Sequence, residues 1–307
     1  MVKSTVGSII PLLIILLQIS CIREGLQECE DEYSITIKVV DAVTGKDITA
    51  SGEVNHAKLF IFNEHEQFLY TISMDSLQIR QKIPVSIKLE KNSHNWISVW
   101  GNLGGNQQVT EITSSNTLDN STVSIISENN ENIHKGMDDL FFGILPVMKD
   151  PYNGTENREI VISRKNARIY ITARGLPSFY NAENYYFVIR LNNSGYDFRG
   201  TPVPHVIEIK QSGITLENND FVSPPVFNLI HTNDKMEDYV MVYLYRKETG
   251  SRSGADILIA SVNSDLNGNP IVLPSGQTTN LLIDLRQAVS VYVKTSPWDK
   301  IEQWVEW

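Results

Sequence analysis

The sequence predicts an all-β protein built as two β-sandwiches in tandem. Two observations carry this: strict alternation of apolar and polar residues recurs along most of the chain, and no sustained stripe at a spacing of 3.6 residues competes with it. A third is the grouping of the alternating stretches into two sets, separated by a breaker-rich link around Pro151, Asn153 and Gly154.

The chain opens with Lys3 and an uncharged apolar run, Val6–Leu17, that includes Ile9, Ile10, Leu12 and Leu13. Its length suits a signal-peptide core and is short for a bilayer span. The run ends at Ser20-Cys21, and charge returns at Arg23 and Glu24. A small residue before cysteine resembles a lipobox, in which the Cys21 thiol is acylated and residues 1–20 are removed. Gln18 departs from that pattern, which usually has leucine at this position. Ordinary cleavage nearby, leaving Cys21 and Cys29 as a small-loop disulfide, is the other outcome. The apolar run and its length favour acylation of Cys21. Residues 21–33 read as an acidic tether, and the carboxylates around Cys29 disfavour its thiolate.

The first strand set, expected to form a domain over residues 34–150, starts with Ile35, Ile37 and Val39. Ala57–Phe62 is apolar at both alternating positions, as a strand covered on both faces must be. Phe68–Ile72, Ile83–Leu89 and Trp96–Trp100 follow. Pro84 cannot donate to a ladder and belongs at an edge or a strand start. The second set, expected over residues 151–307, begins near residue 158. It takes in Ala167–Ala173, Tyr185–Leu191, Val240–Tyr245, Ile257–Val262, Leu281–Leu285 and Val289–Val293. The end is rich in tryptophan, with Trp298, Trp304 and Trp307. It reads as a last strand or short helix closing the second sandwich, or as an interaction surface.

With 26 basic against 36 acidic residues and a formal net charge of −10, the chain repels phosphate backbones, so no nucleic-acid partner is expected. It has no polybasic means of holding a membrane, and attachment would rest on lipid. No catalytic, cofactor or metal site is expected, and no small-molecule substrate. The motifs of serine hydrolases, phosphate loops and zinc helices are missing, and the six histidines lack metal spacing. Gly101-Asn102-Leu103-Gly104-Gly105 follows a strand, but a polar Thr/Ser-rich stretch stands where a nucleotide site needs a helix. Asn263–Gly268 mimics the start of a calcium loop, yet Pro274 occupies the position of its bidentate acid. A type I′ hairpin turn at Asn267-Gly268 explains that segment better.

An ordered set of segments resembles the fimbrillin-associated anchor lipoproteins of Gram-negative anaerobes. The set is Cys21-Ile22-Arg23-Glu24, Glu53–Asn63, Phe68-Leu69-Tyr70, Val99–Leu103, Asp139–Gly143, Arg164–Ile169 and Gly195–Phe198. The Trp-rich end departs from what the resemblance explains. The resemblance implies two transthyretin-like sandwiches, a lipid anchor in the outer membrane with the fold exposed at the cell surface, and fimbrial pilin subunits as partners. It also implies that strand pairing with a pilin fixes the fimbria and ends its growth. The rival reading is a surface glycan-binding lipoprotein whose Trp298 and Trp304 stack on sugars.

Overall fold

The computed structural model describes residues 31–89, 94–128, 133–134, 136–148, 155–177, 181–224, 228–232, 239–248, 255–302 and 304. Cys21, Cys29, most of the expected tether and the Pro151 link lie outside them. Among the described residues α-helix is confined to α1 (Ser76–Arg80), beside two single 3-10 turns. Asp75 caps α1 by accepting from the Gln78 N–H at 2.9 Å, and the Gln78 side chain accepts from the Asp75 N–H at 2.9 Å.

The first half of the chain contributes β1 (Asp31–Val40), β2 (His56–Phe62), β3 (Phe68–Asp75), β4 (Val85–Leu89) and β5 (Asn95–Gly101). Four short strands follow, β6 (Gln107–Val109), β7 (Thr122–Ile125), β8 (Ser127–Glu128) and β9 (Ile133–His134). Then come β10 (Phe141–Val147), β11 (Glu156–Arg164), β12 (Ala167–Arg174), β13 (Tyr185–Asp197) and β14 (Pro202–Ser212). The chain finishes with β15 (Ile214–Thr215), β16 (Phe221–Val222), β17 (Asn228–Leu229), β18 (Met241–Arg246), β19 (Ile257–Val262), β20 (Gln277–Asp284) and β21 (Ser290–Pro297).

The first sheet runs β3-β2-β5-β10-β11-β1-β4. It curls until its ends meet, and the Tyr70 hydroxyl on β3 donates to the Lys88 carbonyl on β4 at 2.8 Å. Alternation puts Tyr33, Ile35, Ile37 and Val39 of β1 inside the curl with Ala57, Leu59 and Ile61 of β2, and Ile79 of α1 packs against them. Pro84 immediately precedes β4, which is an end strand, so the missing donor costs no ladder bond. The opposite face of the same sheet is also covered. Phe60, Phe62 and Trp100 point away from the curl into a second core. Phe60 meets Phe198 edge-on at 4.7 Å, and the Trp100 ring centroid lies 4.6 Å from that of Phe142.

That second core fills a sandwich. One sheet runs β15-β16-β12-β20-β21, with β17 also on β12; the other runs β19-β18-β13-β14-β9-β8, with β7 on β13 and β6 on β7. Ile169, Ile171, Leu281 and Ile283 of the one face Phe187, Ile189, Val242 and Leu244 of the other, all fully buried.

Sheet membership does not change at residue 150. β11, which the sequence groups with the second set, pairs in parallel with β1 over eight residues. The short strands β7 and β9 cross the other way, to β13 and β14. Backbone register decides both, and local alternation is blind to which sheet a strand joins. β14 escapes the alternation search because Pro202 and Pro204 open it; Pro204 sits where the β13–β14 register shifts, the place a ladder tolerates proline.

Gly143 shows how tight the β10–β11 contact is, because a Cβ there would lie 2.2 Å from the Val161 carbonyl oxygen. Gly143→Ala is expected to cost about 2 kcal/mol by forcing the strands apart. Gly105→Ala, in open space, is the matched control. Denaturant melts of both test this: equal midpoints would show that the approach of β10 to β11 carries no such constraint.

Candidate functional site

Beyond β21 the chain turns at residues 297–300, closed by the Lys300 N–H on the Pro297 carbonyl at 2.9 Å, and folds back over the outer face of the β12–β20–β21 sheet. The described tail residues are neither helix nor paired strand. That outer face is polar, and the tail explains why it is buried. Thr278 and Arg168 both donate to the Trp298 carbonyl, at 2.8 and 3.2 Å. Ser296 donates to the Lys300 carbonyl at 2.6 Å, and Asn280 accepts the Glu302 N–H at 3.0 Å. Arg174 donates to the Trp304 carbonyl at 3.0 Å. The contacts fall on residues 298, 300, 302 and 304, the every-second-residue pattern of an extended chain. Every one of these bonds reaches tail main chain, so this track reads backbone rather than side-chain identity. A buried polar face without such partners would cost about 1–3 kcal/mol per group.

Trp298 closes the near end of the track. It is 5% exposed, with the guanidinium carbons of Arg164 and Arg168 lying 4.2 and 3.9 Å from its ring centroid. Arg164 is itself a hub at the end of β11. It donates to both Asp139 oxygens, at 2.7 and 2.9 Å, and pairs with Glu53. Burial works against its charge, but the hydrogen bonds and charges of Asp139 and Glu53 prevail and hold its pKa above the ordinary arginine value. For Arg168 burial prevails and lowers the pKa.

Beside the far end of the tail lies an open slot of about 610 Å³. Ile301 and Trp304 form one wall, Ile214 and Leu216 the other, and Tyr170 and Val222 belong to its floor. Asp220 at its base is neutralised by Arg174 at 2.8 Å, both side chains being nearly buried.

A family profile described as "Fimbrillin-A associated anchor proteins Mfa1 and Mfa2" matches residues 26–304. The chain belongs to this family. Among similar family proteins is the major fimbrium anchoring subunit FimB of Porphyromonas gingivalis strain W83, 24% identical over 99% of both chains. The FimB of strain ATCC 33277 is likewise 24% identical over 99% of each. The solved structure of the fimbrial anchor protein Mfa2 from P. gingivalis superposes with a TM-score of 0.63 at 13% identity, covering 88% of this chain and 98% of Mfa2. The anchor family therefore supplies the β-sandwich fold expected from the sequence.

The other sequence candidates in this anchor-family chain take structural places. In the glycine-rich loop, Asn102 adopts a left-handed φ of 60° and bonds the Asn55 N–H, the Glu53 carbonyl and the Asp139 carbonyl, tying three segments together. Asp265 accepts the N–H groups of Asn267 and Asn269 and the Asn269 amide. Its carboxylate thus serves the turn. The turn itself is a correction: φ is positive at Gly268 but not at Asn267, and Asp265 pairs with both Gly268 and Asn269. This is a type I turn with a glycine bulge, not type I′. His56 stands at the start of β2 and bonds the Leu103 carbonyl at 3.0 Å. Among the described residues no cluster of three or more potential metal ligands occurs. Trp298 and Trp304 both belong to the tail, while Trp307 lies outside the described residues. Sequence reasoning missed Thr278, Asn280, Ser296 and Arg174, whose one signal is polarity at interior strand positions.

Between the halves, Lys165 lies over the rings of Phe142 and Tyr196, 5.4 and 5.6 Å from their centroids. Burial pulls its pKa down to about 8, against a weaker upward pull from Asp197. Between pH 8 and the ordinary lysine value of 10.5 the unfolded chain keeps a proton that the folded chain has released, so stability contributed at Lys165 rises with pH. Lys165→Met is therefore expected to melt higher than the wild type near pH 7, the gain shrinking through pH 8 to 10.5. A gain independent of pH would show that packing, not desolvation, sets the difference. At the tail, Asn280→Leu should leave the core folded yet speed proteolytic cutting beyond Lys300 several-fold. Unchanged cutting would mean that Asn280 does not hold the tail.

Proposed function

We propose that this protein is a surface lipoprotein that fixes a fimbria to the outer membrane and ends its growth. Acyl chains on Cys21 hold the membrane end, and residues 22–30 connect it to the fold, because Asp31, Glu32 and Tyr33 of the expected tether belong to β1. Two or more acyl chains, at roughly 0.8 kcal/mol per buried CH₂, make a stable anchor. The folded part then binds a pilin by main-chain pairing. Family membership over residues 26–304 carries this reading, with relatives whose own role is anchoring the major fimbrium. The tail track supports the strand-pairing element, because it already holds an extended chain through its backbone. We also propose that the two sandwiches divide after Arg164 rather than at residue 150, because β11 pairs with β1. The glycan reading draws less support: two guanidinium groups cover the Trp298 ring, and Trp304 is half-buried against Tyr292 and Lys294.

Three measurements test the proposal. Cys21→Ala should move the protein from the membrane fraction to the soluble one; a cleaved mutant that stays membrane-bound contradicts lipidation. Soluble protein starting after Cys21 should capture the pilin subunit of the fimbria it anchors. Deleting residues 301–307 should weaken that capture far more than Trp304→Ala, with thermal melts confirming both folds. Cells lacking the protein should shed fimbriae or grow them abnormally long, and normal attached fimbriae would refute the anchor function.

A further inference from the structure

We propose that the slot between the tail and the β15–β16 hairpin is a docking site for one extended segment of a partner chain, apolar at alternate positions and carrying a basic side chain. The proposal rests on the anchoring reading and says where on the fold, and for what chemistry, the anchor takes its partner.

Four observations lead there. The lips of the slot are apolar and open: Ile214, Leu216 and Ile301 are 57%, 40% and 39% exposed. Three such side chains around one concavity are an uncovered apolar surface that a partner's side chains can bury. The wall formed by the tail has backbone to spare. Glu302 and Trp304 spend main-chain groups on Asn280 and Arg174, whereas among the described residues no hydrogen bond is made by the N–H or C=O of Ile301. In an extended chain successive residues point their polar groups to opposite sides, so Ile301 is the residue whose groups turn away from the track. The opposite wall is the terminal strand of its sheet: β15 pairs with β16 alone. A segment laid in the slot thus meets the free backbone of Ile301, with which it can pair as a strand, and the apolar side chains of Ile214 and Leu216.

The fourth observation selects the occupant. Glu217 and Glu302 stand at the slot and form no ion pair among the described residues, while the third carboxylate, Asp220, is already paired with Arg174. Two unpaired acids call for a basic side chain, and the net charge of −10 steers a basic segment toward the protein. A second copy of this chain brings the same acidic character and fits less well. The slot's volume of about 610 Å³ lies within the usual range for a pocket that takes a few side chains.

The test uses the soluble protein starting after Cys21. The probe is a fluorescent ten-residue peptide alternating valine or isoleucine with lysine or threonine. Saturable binding is expected, at least tenfold weaker for a peptide with glutamate in place of lysine, and at least tenfold weaker for one N-methylated at alternate amides. Ile214→Asp and Leu216→Asp, both at exposed positions, should each lose at least tenfold in affinity while melting within a few degrees of the wild type. Equal binding to these variants, or indifference to peptide charge and N-methylation, overturns the proposal. So does a self-association that Leu216→Asp abolishes, since the occupant would then be a second copy. Pilin capture separates the two levels. Normal capture by Leu216→Asp leaves the anchor reading standing and removes the slot, whereas no capture by the wild type removes the anchor reading itself.

Discussion

The architecture turns on the seat of Trp298 beneath Arg164 and Arg168. Arg164 ends a strand of the first sheet, Arg168 lies on a strand of the second sandwich, and Trp298 begins the tail. One indole therefore ties three parts of the chain. The geometry is demanding because Arg164 is almost fully buried and must keep its carboxylate partners Asp139 and Glu53 to stay there. Removing either class of partner strands a buried charge, the costly way to break such a site. With Trp298 fixed, the main chain beyond it lands on Ser296, Asn280 and Arg174 in turn, and an otherwise unsatisfied polar sheet face is closed.

A second constraint follows from the doubly covered first sheet. Its curl buries one face in its own core, while Phe60, Phe62 and Trp100 of the other face enter the core of the second sandwich. Ser98 donates to the Phe198 carbonyl at 2.7 Å within this contact, whereas the buried indole N–H of Trp100 finds no partner among the described residues. A rigid junction of this kind suits the proposed anchor function, in which pull passes between a tethered end and a bound partner. An apolar contact shared between two cores does not rotate freely, unlike the smaller and more polar contacts usual between domains.

Much of this was legible in the sequence. Strands β1, β2, β12 and β13 declare themselves because alternation is strict where one or both faces are buried, and Ala57–Phe62 even reveals its double burial. Among the described residues, several of the segments that carry the family resemblance lie at the junction and its loops, among them those with Asn102 and Arg164. Other features were hidden for physical reasons. Pro202 and Pro204 disguise β14, and the strands β6 to β9 are too short to show a period. The assignment of β11 to the first sheet depends on a parallel partner far away in sequence. The cover on Trp298 comes from arginines distant along the chain, so the sequence left the aromatic-rich end open between a closing element and a surface. The slot was invisible for the same reason: its two walls and its floor come from segments far apart in the chain, the tail, the stretch around Ile214 and the strand carrying Tyr170.

The account joins these parts into one claim, that an extended partner segment is held against the outer sheet face beside the tail. Hydrogen–deuterium exchange on the soluble protein, alone and saturated with its pilin, measures this directly. The account predicts new amide protection at Ile301, whose backbone acquires a partner, and slower exchange across residues 214–216, which the segment covers. Protection that appears only elsewhere, with these two segments exchanging as fast in the complex as in the free protein, would contradict it.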